Sequence, residues 1–301
     1  MNTLLVITGP TAVGKTDICL EIAESRGIPV INADSRQIYR DMPIGTAAPT
    51  AEQMQRVKHY FVGTLALDEY YNASMYEQDV MTLLSQMFEG KDNALAMMTG
   101  GSMMYIDAVC NGIDDIPTIR DDIRQLYKDR LATEGLDPLL AELKTLDPEY
   151  YDIVDKCNPR RVVHGLEICR QTGTTYTSFR IRERKQRPFR IVKIALNRPR
   201  DILYKRINSR VDMMIAEGLE EEARRLYPLR HLNALNTVGY KEMFKYIDGE
   251  WTLDEAVERI KGNTRRYARK QQTWYKKDDD IVWFDAAERE HILNFISDTV
   301  K

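Results

Sequence analysis

"TLLVITGPTAVGKT", residues 3–16, decides the fold. Residues 3–8 are an apolar, β-rich run without alternation, the pattern of a strand buried on both faces of a parallel sheet. The run leads straight into G-x-x-x-x-G-K-[ST], with Gly9, Gly14, Lys15 and Thr16 in their places. "KTDICLEIAESRG" follows, with Ile18, Ile22 and Ala23 on one helical face and Gly27 as the stop. A glycine loop between a strand and a helix is a phosphate cradle. Its glycines let backbone N–H groups turn inward, and the helix N-terminus favours negative charge. Lys15 supplies a point charge to the outer phosphate, and the Thr16 hydroxyl holds Mg²⁺. The residues assigned to phosphate or diphosphate are therefore Gly9, Pro10, Thr11, Ala12, Val13, Gly14, Lys15 and Thr16. Most chains with this loop cleave ATP or GTP; whether this one does is open at this point.

Working outward, residues 28–34, 93–102, 190–197 and 280–285 read as further strands, and 72–90 as a helix with Asn72 or Ser74 near its start and Gly90 past its end. Strands alternating with helices indicate an α/β fold, a P-loop NTPase-like doubly wound parallel sheet. Between residues 114 and 189 the pattern turns all-helical, with breaks at Gly135, Pro148 and Pro159. An insert of roughly 75 residues is a subdomain rather than a connection. The expected organisation is a catalytic core at 1–113 and 190–301, and a helical insertion domain at 114–189. "RIRERKQRP" (180–188) is the basic link back to the core.

The 301 residues are 43% hydrophobic, enough for a packed core. No apolar run reaches about 18 residues, so no membrane span is expected. The N-terminus lacks a basic n-region and a cleavage site, which makes the cytoplasm the expected location. Cys19, Cys110, Cys157 and Cys169 form no C-x-x-C and read as reduced structural thiols. The four histidines are scattered, without zinc-site spacing. A net charge of −3 opposes nucleic-acid binding, but the charges are segregated. Residues 158–210 hold 15 Lys/Arg against 3 Asp/Glu, and residues 259–277 hold 8 against none. Such segregation marks a polyanion surface; the competing reading is solvated helix faces.

An NTP hydrolase needs a second magnesium anchor, an acid at the end of a neighbouring strand. "ALAMM" ends instead in Thr99-Gly100-Gly101-Ser102, with no carboxylate. Asp34 does end a strand, where open α/β sheets bind ligands. It suits Mg²⁺ binding or proton acceptance, or else a helix N-cap. Ser102 offers a hydroxyl to a substrate, or it too is an N-cap. "NTRRYARKQQTWYKK" (263–277) interleaves Arg265, Arg266, Arg269 and Lys270 with Tyr267, Trp274 and Tyr275. Cations neutralise phosphates and aromatics stack on unpaired bases, while an amphipathic helix would bury the aromatics. Aromatics inward and arginines outward is the expected compromise. Arg160 and Arg161 open a helix of the insert and suit a nucleic-acid backbone; His164 on the same helix reads as packing or surface.

"GPTAVGKT", "ADSRQIY", "IGTAAP", "TGGSMMY", "NPRRVVHGLEI", "NTVGYKEM" and "TRRYARKQQTW" stand in the order and spacing of the tRNA dimethylallyltransferases, and the chain resembles that family over nearly its whole length. The resemblance implies transfer of a dimethylallyl group from dimethylallyl diphosphate to the exocyclic N6 amine of the adenosine 3′-adjacent to the tRNA anticodon. The loop then cradles the leaving diphosphate, with Mg²⁺ neutralising it and the acceptor base flipped from its stack. The helical insert closes on the anticodon stem-loop.

Residue by residue, the resemblance implies that Asp34 is the general base and that Ser35, Arg36 and Gln37 complete its motif and contact the anticodon loop. Ser102 stands where the family usually has threonine, and keeps the hydroxyl in a catalytic, tRNA-facing position. Arg124 matches a tRNA contact, as does the segment Arg160, Arg161, Val162, Val163 and His164. So do Asn236, Thr237, Val238, Gly239, Tyr240 and Lys241, and likewise Arg269, Lys270, Gln271, Gln272, Thr273, Trp274, Tyr275 and Lys276. His164, Ala48 and Pro43 depart from the family's commoner basic residue, lysine and aspartate, which leaves Asp34 as the one strong base candidate. A monomer acting on tRNA is the expected state. A P-loop small-molecule kinase is the alternative, and an RNA-binding protein with a vestigial loop a third reading.

Overall fold

The computed structural model describes residues 1–181 and 184–300; Arg182 and Glu183, within the expected basic link, lie outside the described residues. Six parallel strands form one sheet: β1 (Thr3–Thr8), β2 (Val30–Asn32), β3 (His59–Tyr60), β4 (Leu95–Thr99), β5 (Arg190–Asn197) and β6 (Ile281–Asp285). Their order is β3-β2-β4-β1-β5-β6. β1 is central, its Val6 facing Met98 of β4 and Lys193 of β5. The order places the carboxyl ends of β1, β2 and β4 side by side, so the loops at Gly9, Asp34 and Gly100 leave from one edge.

The unalternating apolar run of β1 is explained by cover on both faces. Leu4 and Val6 pack with residues of α4 (Ala73–Phe88) and α5 (Met103–Asn111). Leu5 and Ile7 pack with α1 (Lys15–Arg26) and α14 (Arg289–Thr299). The start of α4 is set by Asn72, whose side chain accepts from Met75 N at 2.9 Å. Two short helices, α2 (Pro43–Thr46) and α3 (Ala51–Arg56), lie between β2 and β3. β3 has two residues, too few for any periodicity to reveal. A third apolar cluster joins Ile38 and Met42 to α10 (Arg200–Ala216), α11 (Leu219–Leu226), α12 (Tyr240–Ile247) and α13 (Leu253–Tyr275).

The chain divides into two compact units, residues 1–111 with 187–301, and residues 112–186. The second unit holds α6 (Asp121–Glu134), α7 (Asp137–Leu146), α8 (Pro148–Ile153) and α9 (Pro159–Thr172) around Tyr127, Leu139, Leu143 and Leu166. Gly165 of α9 rests on Tyr150, whose ring is 2.7 Å from where a Cβ would stand. Buried Asp147 accepts from Tyr150 N, Thr177 N and Thr177 Oγ1. The chain re-enters the first unit at Arg187, earlier than the expected 190, because Arg187 and Phe189 are already core groups. Phe189 packs 5.8 Å from Phe88. Among the described residues, no helix is long and apolar enough to cross a membrane.

Arg187 and Glu77 form an interior ion pair at 2.6 Å. The guanidinium also donates to Ala108 O and Val109 O. Removing one partner strands a buried charge. Arg187→Met is therefore expected to cost ~3–5 kcal/mol, read as a lowered urea midpoint at unchanged slope.

Candidate functional site

The phosphate loop gets its shape from backbone close approach. Gly9 has φ +138°, and a Cβ there would lie 2.5 Å from Leu196 O of β5. Gly14 caps α1 at φ +109°, and Ala12 is also left-handed at φ +64°. The amides of Gly14, Lys15 and Thr16 open the helix, where helical geometry gives them no acceptor. Lys15 Nζ donates to Gly9 O at 2.9 Å and Pro10 O at 3.0 Å. An ammonium has three hydrogens, so one remains for a ligand. Burial, aided by the charge of Arg210, pulls the Lys15 pKa from 10.5 to about 8. Cys19 lines the same cavity, but burial pushes its thiol up to about 11, which makes it a packing group rather than a nucleophile.

Three arginines unremarked by motif surround the loop. Arg198 Nε donates to Val13 O and Arg206 Nε to Ala12 O, both at 2.8 Å. Arg210 Nη1 reaches Thr11 Oγ1 at 3.3 Å. Arg198 and Arg206 each come within 3.7 Å of the place a Gly14 Cβ would take. Their hydrogen bonds go to carbonyls and a hydroxyl, which leaves their positive charge available to an anion. Burial pulls the Arg210 pKa below its ordinary value, with Asp34 opposing. A signal existed in the sequence: Arg206 and Arg210 are one turn apart, beside the apolar face of Leu203, Ile207 and Val211. It was read as part of an outward basic tract, and that reading needs correction. Arg187 and Lys193 of the tract are buried in ion pairs, and Arg198, Arg206 and Arg210 serve the loop.

Asp34 lies two residues past β2 and divides its two oxygens. Oδ1 accepts from Arg36 N at 2.9 Å and Gln37 N at 3.3 Å. The capping role is thus real, for a turn rather than a helix. Oδ2 lies 3.2 Å from the point where a Gly101 Cβ would stand. Gly100 admits no side chain, because its Cβ would meet Ala33 C at 2.2 Å. The Ser102 hydroxyl does not cap α5: it accepts from Ser35 N at 2.8 Å and donates to Ser35 Oγ at 2.9 Å. It ties the β4 loop to the Asp34 turn. Arg36 Nη1 donates to Asn233 O and Ala234 O.

The helix α13 braces both loops. Gln271 Oε1 accepts from Thr11 N at 2.9 Å, and its Nε2 donates to Gly101 O at 2.8 Å. Tyr267 OH donates to the same carbonyl at 2.9 Å. Gln271, Tyr240, Tyr275 and Val162 are buried, so the surface contact expected of their side chains gives way to internal packing and bracing. Trp274 is exposed, with Nε1 donating to Asp107 Oδ2 at 2.8 Å; the expectation of aromatics inward holds for Tyr267 and Tyr275 and not for it. Gln272 Nε2 donates to Asn197 Oδ1. Arg269, Lys270, Thr273 and Lys276 lie exposed along the helix, as do Asn236 and Lys241 beyond its neighbour's start. In the second unit Arg160 and Arg161 are exposed, Arg124, Val163 and His164 are half-buried, and the His164 ring packs edge-on to Tyr176. Thr237 and Val238 are half-buried and Gly239 is buried.

These groups line a cavity of about 920 Å³ in the first unit, Gly14, Lys15, Thr16, Arg206 and Arg210 together with Asp34, Gln37, Gly101 and Tyr267. Among the described residues, no cluster of three or more His, Cys, Asp or Glu is placed to hold a metal ion. The arrangement can neutralise a multiply charged phosphate and accept a proton within one cavity.

Comparison with known proteins gives the lineage of this arrangement. The IPP transferase family model matches residues 37–278. The chain is 59% identical over 300 residues to tRNA dimethylallyltransferase 2 of Parabacteroides distasonis, covering 100% of both chains. It is 60% identical over 295 residues to tRNA dimethylallyltransferase 1 of Phocaeicola vulgatus, covering 98% of each. A tRNA isopentenylpyrophosphate transferase structure from Bacillus halodurans superposes with TM-score 0.71 at 35% identity, covering 99% of this chain and 96% of that one. A eukaryotic dimethylallyltransferase solved acting on tRNA shares the fold, with TM-score 0.82 at 23% identity, covering 99% and 80%.

Lys15 gives this site a pH dependence of definite sign. A bound anion favours the protonated amine, so affinity for inorganic diphosphate should fall as pH rises through about 8. The stability cost of burying the ammonium runs the other way. It is fully present below about 8 and is relieved as pH climbs toward 10.5. Calorimetric titration of Lys15→Met against pH should lack the wild-type decline in affinity over that window.

Proposed function

The chain belongs to the IPP transferase family, and we propose that it carries the dimethylallyl group of dimethylallyl diphosphate to the N6 amine of the adenosine 3′-adjacent to the tRNA anticodon. Its activity is that of its relatives, dimethylallyl transfer to tRNA; the acceptor atom and the residue roles below are the proposal. The observation that carries it is that the cationic phosphate loop and Asp34, with its spare oxygen, line one cavity. A small-molecule kinase is not favoured: the strand end at 99–102 carries no acid to anchor a nucleotide's magnesium.

The diphosphate is assigned to residues 9–16, with Arg210 as an added cation. Lys15, Arg210 and the amides that open α1 stabilise charge as the allylic C–O bond breaks. The bond pair leaves with the diphosphate. The adenine amine is a weak nucleophile because its lone pair is delocalised into the ring. As its nitrogen bonds to the allylic carbon, its proton passes to Asp34 Oδ2, while Oδ1 stays committed to the turn. Enclosure by the cavity walls protects the cationic carbon from water. Ser102 acts by holding Ser35 and the Asp34 turn in place.

The cavity suits Mg²⁺ through the hydroxyl of Thr16, a residue that lines it beside Lys15. A cation that keeps most of its waters and takes substrate phosphate oxygens needs few protein ligands. When bound it would supply further neutralisation of the leaving group. The tRNA footprint is assigned to Arg124, Arg160, Arg161, Val163 and His164 of the second unit, and to Asn236, Lys241, Arg269, Lys270, Thr273 and Lys276 of the first. The proposed state is a monomer, placed in the cytoplasm with its tRNA.

Protein, Mg²⁺, unmodified tRNA and labelled dimethylallyl diphosphate should give labelled tRNA; phosphate transfer from ATP without label uptake would overturn the reading. Asp34→Asn keeps the capping oxygen and loses the base. It should lower the single-turnover rate at saturating stem-loop by ~10²–10⁴, far beyond the change in stem-loop affinity read by direct binding. Replacing Arg266, Arg269 and Lys270 by glutamine should lower the slope of log affinity against log salt by about 2, read from binding isotherms at several salt concentrations.

A further inference from the structure

One wall of the cavity is held from inside the protein by a buried carboxylate. Glu222 of α11 is 5% exposed. Its Oε2 accepts from Ile44 N at 3.0 Å, and its Oε1 accepts from Gly45 N at 2.8 Å and from Tyr240 OH at 2.5 Å. Three donors converge on two oxygens, so no hydrogen of the turn's first amides is left unpaired. Tyr240 is itself fully buried, and its ring leaves no room for a side chain on Gly45, whose Cβ would lie 2.5 Å from Tyr240 Cζ. Burial and then the neighbouring Glu222 raise the Tyr240 pKa, so the hydroxyl remains a donor.

The outer side of this turn presents carbonyls. Gln37 Nε2 donates to Thr46 O and to Ala47 O, each at 3.0 Å. Carbonyl oxygens only accept, which fixes the orientation of the amide without ambiguity. Both of its hydrogens are spent on the turn. What remains is Oε1, on a residue that lines the cavity next to Asp34. The amide oxygen and the spare carboxylate oxygen both accept and cannot donate.

We propose that Glu222 is a positioning residue for acceptor recognition: by fixing the turn at 43–47 it locks Gln37 with its amide oxygen toward the cavity, forming with Asp34 an acceptor-only wall that admits an amine edge and rejects a keto edge. This rests on the reading of the acceptor as adenosine. An exocyclic amine has two hydrogens, one for each wall oxygen. A keto oxygen in the same place faces two acceptors and loses its water without replacement.

The test measures binding without donor, using anticodon stem-loops with adenosine or inosine at the reacting position. Wild type should prefer adenosine by about tenfold or more. In Glu222→Gln an amide hydrogen pair must face one of the three donors, which releases the turn. The adenosine preference should fall to about twofold or less, while affinity for inorganic diphosphate and the melting temperature's response to diphosphate stay as in wild type. Gln37→Ala should lose the same preference with the turn intact, and Tyr240→Phe, which removes one donor, should lose a few-fold of it. A folded Glu222→Gln protein that keeps the wild-type preference, or that loses diphosphate affinity to the same extent, overturns the proposal. Should Glu222→Gln not fold, unchanged preference in Gln37→Ala or Tyr240→Phe overturns it equally. Failure of the transfer reading would show separately, as absence of label in tRNA with the wild-type protein.

Discussion

Backbone has to touch backbone at the carboxyl edge of the sheet, and the site exists because it does. Gly9 lies against Leu196, and Gly100 against Ala33, at separations where a single methyl group would collide. The first sets the loop after β1 against β5, and the second sets the loops after β2 and β4 against each other. The Gln271 amide then links two of them, accepting from Thr11 and donating to Gly101. A side chain contributed by α13, far along the chain, thereby sets the spacing between the anion cradle and the loop beside Asp34. Packing the catalytic segments this tightly leaves little freedom for either end of the cavity to drift relative to the other.

Charge is distributed across that frame by the same economy. Lys15 bonds to loop carbonyls and keeps one hydrogen for a ligand; Arg198 and Arg206 bond to carbonyls and remain cationic. Burial, and after it the charge of Arg210, holds the Lys15 pKa down at about 8. Asp34 shows how one residue serves structure and chemistry at once, with one oxygen closing a turn and the other facing the cavity. A carboxamide in its place would satisfy the turn and leave no proton acceptor. The proposed reaction would use this nucleotide-type cradle for a leaving group and Asp34 as its base.

The site also has a supporting layer. Ser102 holds Ser35, Glu222 holds the turn at 44–45, and that turn holds Gln37. Ser102, Ser35 and Gln37 stand in recognisable motifs, but Glu222 does not. Glu222 sits in "GLEEEARR", where three consecutive acids look like an exposed helix start. Only one of the three has backbone amides and a tyrosine waiting for it, and it is the buried one.

The sequence by itself determined whatever depends on near neighbours along the chain. The loop at 9–16 between a strand and a helix, the Asn72 cap, strand Arg190–Asn197 and the helical breaks at Gly135, Pro148 and Pro159 are all local patterns of period, turn and cap, and the structure has them where the pattern put them. The two-residue β3 is too short to leave such a pattern. Tertiary structure alone decided which cations meet the phosphate loop, that Gln271, Tyr240 and Val162 face inward, that Trp274 stays outside, and that Arg187 already belongs to the core. Those outcomes turn on partners as many as 260 residues away, and amphipathic spacing tells which residues share a helix face but not what that face will meet.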